Sequence, residues 1–191
     1  VGVEKISLKL LVAGIACALL AGCAGATQTS KESEGPYHVG LVRATFPPDQ
    51  RLAQPSQLVI TVRNQDSKTV PNIAVTVRSF DRRIQDPNLA DPRRPIFVVN
   101  QPPVGSQTAY VDTYALGPLK PGESKTFTWQ VTAVAQGPYR LAYQVAASLD
   151  GKAKAVGPDG RQPSGAFTGD VSDAPPSAVI GPDNSSIQHG R

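Results

Sequence analysis

In four stretches of this chain, apolar residues occupy every second position, so that one face of an extended strand can be buried while the other stays wet. Gln57–Asn64 sets Leu58, Ile60 and Val62 on one side and Thr61 and Arg63 on the other. Ile73–Phe80 repeats the pattern with Ile73, Val75 and Val77, and Thr126–Val134 with Phe127, Trp129 and Val131. Tyr139–Ala147 does so with Tyr139, Leu141, Tyr143 and Val145. A further strand is expected through Tyr37–Phe46, with weaker signals at Ile96–Val99, Ala109–Ala115 and Ala166–Val171. Prolines (18) and glycines (17) among 191 residues punctuate these runs, and helix-forming stretches are scarce. The length supports one domain with one modest core and appendages.

The turn chemistry agrees with strands. Leu119-Lys120-Pro121-Gly122 places Pro and Gly where a type II turn needs a fixed negative φ followed by a positive one. Gly137-Pro138-Tyr139 opens the next strand, and a tyrosine there is placed to hydrogen-bond back across the corner, as in the tyrosine corner of immunoglobulin-like sandwiches. Trp129 is expected in the core. Val62-Arg63-Asn64, Leu119 to Ser124, Phe127-Thr128-Trp129 and Gly137 to Leu141 together resemble the bacterial cell-adhesion-related domain and its extracellular immunoglobulin-like relatives. The resemblance covers Tyr37 to Ala155. It implies an all-β, immunoglobulin-like β-sandwich of about seven strands, used for binding or spacing and without catalysis. The sequence departs from that pattern in two places. The connection between Phe80 and Ala109 is long and proline-rich, and the last strand is blurred by Gly151–Gly165.

Residues 1–23 carry Lys5 and Lys9, then an apolar run from Leu10 to Leu20, then small residues, the layout of an export signal. As a helix the run covers about 18 Å, short of the roughly 30 Å hydrocarbon core, so a permanent span is disfavoured. Leu20-Ala21-Gly22-Cys23 is similar to the lipobox of bacterial lipoproteins. That resemblance implies cleavage before Cys23, lipid on its thiol, and an extracytoplasmic, membrane-anchored protein. Two acyl chains, each methylene worth about 0.8 kcal/mol, anchor stably where one is marginal. Cys17 lacks the aliphatic residue three places before it and is expected to leave with the signal helix. The chain starts with Val and holds no Met, as expected where an alternative start codon is read literally. Ala24–Pro36 is small and polar, a tether of up to about 43 Å when extended. The expected organisation is thus signal peptide 1–22, lipidated cysteine and tether 23–36, sandwich 37–171, and a disordered tail 172–191.

Chemistry is sparse in the remainder. The formal charge is +4 and falls by one unit once Glu4, Lys5 and Lys9 are removed; without a basic face interleaved with aromatics, nucleic acid is not an expected partner. Both cysteines lie in the N-terminal run, so no disulfide or zinc site is expected in the body. The loop Asp81–Pro95 alternates three aspartates with Arg82, Arg83, Arg93 and Arg94. Its acidic spacing is wrong for calcium, whereas its guanidinium groups suit carboxylate or phosphate on an envelope partner. Internal pairing with the aspartates is the plainer alternative. Tyr110 and Tyr114, four apart and so expected on one strand face, are candidates for stacking a polysaccharide or small ligand. His38 and His189 stand in no recognisable arrangement with a nucleophile. No catalytic residue, metal or cofactor is expected, and the envelope partner is expected to be a protein or a polysaccharide.

Overall fold

The computed structural model describes residues 33–83, 90, 93–173, 178–180 and 187–189. No helix occurs among them. The chain builds two facing sheets. The first has the spatial order β12 (Ala153–Val156), β1 (Gly35–Thr45), β3 (Pro55–Asn64), β10 (Ser124–Ala133), β7 (Phe97–Gln101). The second runs β2 (Asp49–Arg51), β13 (Ser164–Ser172), β11 (Gly137–Ala146), β4 (Ala74–Arg78), β9 (Thr113–Ala115), β8 (Gln107–Tyr110). Two small two-stranded sheets complete the set, β5 (Asp81–Arg83) with β6 (Arg93–Pro95), and β14 (Ala178–Ile180) with β15 (Ile187–His189).

Strands β1, β3, β10 and β7 stand in the order A-B-E-D, and β13, β11 and β4 in the order G-F-C, the two sheets of an immunoglobulin sandwich. The fold is therefore all-β and immunoglobulin-like. Three additions surround the seven strands. β12 pairs in parallel with β1, β2 pairs in parallel with β13, and the β8–β9 hairpin extends the β4 edge.

The alternation seen in the sequence becomes the core. Leu58, Ile60, Val62, Phe127, Trp129 and Val131 from the first sheet meet Val75, Val77, Leu141, Tyr143 and Val145 from the second, all buried. Each such side chain contributes about 1.5–3 kcal/mol against the entropy of ordering it. Trp129 is fully buried between the Tyr114 ring at 5.5 Å and the Phe127 ring at 6.0 Å. Its indole Nε1 finds no partner at hydrogen-bond geometry, and Tyr114 is the polar side chain that approaches it. A second aromatic group, Phe46, Phe97 and Tyr139, packs edge to face at 5.1–5.7 Å.

Local chemistry fixes the two ends of the sandwich. Gly122 takes φ 72° in the Pro121-Gly122 turn, and Glu123 N donates to Lys120 O at 3.0 Å, as type II geometry requires. Buried Asn64 ties that turn down: its Nδ2 donates to Leu119 O at 2.9 Å and Lys68 O at 2.8 Å, while its Oδ1 accepts from Asp66 N at 2.8 Å. The Tyr139 hydroxyl donates to Pro47 O at 2.5 Å. This is a corner bond across 92 residues rather than to a carbonyl a few residues upstream.

The single strand expected over Ala109–Ala115 is instead a hairpin, β8 turning at Val111-Asp112 into β9, with Tyr110 paired to Thr113. Asp112 adopts φ 62°, a conformation Asp tolerates better than most residues because its short side chain bonds locally. The blurred last strand resolves into β12 and β13. On β13 the inward positions opposite Tyr143 and Tyr139 are Gly165 and Gly169, whose missing side chains leave room for the two rings.

Candidate functional site

Register places the chain's entry and exit at opposite ends of the sandwich. Gly35 N bonds to Lys152 O where β1 begins, and the same end holds Asn64, Glu123 and the start of β10. β10 then runs ten residues, about 30 Å, to Ala133, which pairs with Phe97 and accepts from Ala53 N. There Ser172, the last residue of β13, accepts from Leu52 N.

The β5–β6 hairpin belongs to this exit end. Ile96 N and Phe97 N both donate to Phe80 O, and Val134 N donates to Ile96 O, clamping the hairpin base beside the end of β10. Its register sets Arg82 opposite Arg94 and Arg83 opposite Arg93, so the two arginine pairs of the sequence become two adjacent rungs of one ladder. The side chains of Arg82 and Arg83 lie outside the described residues. Arg94 Nη1 donates to Arg93 O at 2.7 Å. The Val111-Asp112 turn approaches the same hairpin. Partial burial raises the Asp112 carboxyl above its ordinary pKa, the like charge of Asp81 adds to this, and Arg78 and Arg93 oppose it.

Tyr110 and Tyr114 are not brought together on one face. The hairpin turn between them leaves Tyr110 exposed on the outside and sends Tyr114 inward against Trp129. Burial raises the Tyr114 hydroxyl pKa, the Asp112 charge adds to the rise, and the Trp129 indole opposes it. Cys23 and the lipobox residues Leu20, Ala21 and Gly22 lie outside the described residues, as does most of 172–191. His38 Nδ1 lies 3.3 Å from Asp66 Oδ2 on an open surface, and no hydroxyl or thiol is bonded to that imidazole among the described residues. The His38 backbone N–H is the main cause of the lowered Asp66 pKa. Among the described residues, no three His, Cys, Asp or Glu side chains are grouped to hold a metal, and no helix is long and apolar enough to cross a membrane.

Two residues that the sequence did not single out share the outer face of the second sheet. Arg78 on β4 stands opposite Ala142 on β11, and Arg140 lies two residues before Ala142 on the same strand, diagonal to Arg78. Their outward direction was legible in the alternation; their adjacency depends on strand register, which no local pattern carries.

No protein-family model matches the chain, and no curated protein matches it. Solved structures resemble it at low identity. The CARDB domain of a Pyrococcus furiosus protein, solved in complex with di-metal ions, aligns at 16% identity over 71% of this chain and 87% of its own, with a TM-score of 0.42. E. coli alpha-2-macroglobulin aligns at 15% identity over 74% of this chain and 7% of its own, with a TM-score of 0.45. Listeria innocua beta-glucosidase aligns at 14% identity over 75% of this chain and 17% of its own, with a TM-score of 0.33. Such likeness transfers no activity, and the immunoglobulin-like assignment rests on the strand order of the chain itself.

Proposed function

We propose that this chain is a non-catalytic cell-envelope lipoprotein. Lipid on Cys23 holds it to the outer face of a bacterial membrane, Ala24–Pro36 acts as the tether, and the sandwich serves as an interaction or spacing module for an envelope protein or polysaccharide. The observation that carries this reading is the opposition of the two ends. A tether entering at Gly35 leaves the β5–β6 arginine rungs about 30 Å away, at the end facing outward from the anchoring membrane.

Metabolic labelling with a fatty-acid tracer tests the anchor. The chain takes up label, Cys23→Ser takes up none, and Cys17→Ser is labelled normally. Label retained in Cys23→Ser would overturn the reading.

A further inference from the structure

Beyond presenting its exit end, the sandwich carries a second surface whose chemistry fits a ligand. The outer face of the second sheet bears a trough of about 310 Å³. Its floor is Ala142 and Ala166, directly opposite one another on β11 and β13, so nothing larger than a methyl group rises from the middle of the sheet. Arg78 and Arg140 wall one side, roughly 7 Å apart as diagonal cross-strand neighbours. No acidic residue lines the trough. Asp170 is diagonal to Arg140, and Asp112, in the turn beside β4, is near enough for the Arg78 charge to act on its carboxyl, but neither carboxylate is part of the trough's lining.

Ser164, Gln144 and Thr76 line the other side and begin a row of neutral hydrogen-bonding groups that continues past the trough. Ser164, Gln144, Thr76, Thr113 and Tyr110 are cross-strand partners in succession over five strands, and the Thr76 and Thr113 hydroxyls bond at 2.8 Å. The row is about 19 Å long at ordinary strand spacing, the length of a short oligosaccharide. It ends on the exposed ring of Tyr110.

The geometry points to an acidic polysaccharide lying across these strands. Its carboxylates would pair with Arg78 and Arg140, whose planar guanidinium forks match them two bonds at a time. Its hydroxyls would meet Gln144, Thr76 and Ser164, and one sugar ring would rest on Tyr110. An acidic peptide would use the arginines but would leave the neutral row and the tyrosine ring idle. A flat lipid surface would not follow the concave floor. The anchor on Cys23 plays no part in this surface, so the two readings fail separately.

Calorimetric titration of the purified full chain with polygalacturonate oligomers tests it, with dextran as the neutral glycan and polyglutamate as the acidic peptide. Polygalacturonate binds saturably and the other two do not. Arg78→Gln with Arg140→Gln weakens binding at least tenfold, and Tyr110→Ala severalfold, with the unfolding midpoint unchanged. Arg63→Gln, on the outer face of the other sheet, leaves affinity as it was. Absence of polygalacturonate binding, equal binding of polyglutamate, wild-type affinity in the double variant, or an equal loss in Arg63→Gln would each overturn the proposal.

Discussion

Gly169 is where the structure allows a substitution to be worked through. It faces Tyr139 across the β11–β13 ladder, and the Pro47-Pro48 segment closes over it. A Cβ there would stand 2.6 Å from the Tyr139 hydroxyl and would overlap the Pro48 carbonyl oxygen. That oxygen accepts from Asp170 N at 2.9 Å, one of the bonds that hold the segment leading into β2 against β13. A ring can swing away, but a backbone carbonyl moves only with its strand. Gly169→Ala should therefore push Pro48–Arg51 off the sheet edge. Overpacking of this kind costs about 1–3 kcal/mol, and the lost hydrogen bond adds about 1 kcal/mol. The smaller entropy of the unfolded chain returns about 0.4–1 kcal/mol. A net loss of about 2–3 kcal/mol is expected, read from urea unfolding followed by fluorescence of the sole tryptophan, buried Trp129. The midpoint falls while the slope with denaturant holds. Tyr139→Phe does not rescue the variant, because the carbonyl remains. A loss below about 0.5 kcal/mol, or full rescue by Tyr139→Phe, would refute the reasoning.

Tyr139→Phe alone costs about 1 kcal/mol in the same assay, because Pro47 O keeps its bond from Gln50 Nε2 at 3.0 Å and is not stranded; a loss above about 3 kcal/mol contradicts this. Asp112→Asn stabilises the fold at neutral pH. The folded-state pKa of this carboxyl is raised, first by burial and then by Asp81, so the folded chain holds the proton more tightly than the unfolded chain. The wild type therefore carries a penalty above its folded pKa. That penalty fades as pH falls toward the unfolded carboxylate pKa. The advantage of Asn shrinks in step, and an advantage that grows toward acid pH would reverse the assignment. Asn also suits the positive φ at this position.

The sequence made the sandwich legible where a strand buries one face with its own apolar residues. In β3 and β10 the inward residues are Leu58, Ile60, Val62, Phe127, Trp129 and Val131, and period two is plain. β13 was faint for a physical reason. Two of its inward positions are glycines, because the volume is filled by tyrosines reaching over from β11, so its burial is encoded on another strand. The β8–β9 hairpin was hidden because its turn is Val-Asp rather than a glycine pair; Asp112 was its only local signal. The candidate sites divide in the same way. The arginine content of Asp81–Pro95 could be read directly, but the rungs that bring the pairs face to face are long-range facts of register. The same holds for Arg78 beside Arg140.

The parallel pairings at the two edges have a mechanical consequence. β1 leaves the sandwich at one end and β13 at the other, and each is flanked by a short parallel strand, β12 or β2. Tension applied through the tether and the C-terminal continuation runs along both strands. It therefore meets their hydrogen bonds side by side, all loaded at once in shear, rather than one after another as in a peeling zipper. Such a domain yields late and abruptly under strain, as the proposed role of a link between a lipid anchor and a partner at the far end would require.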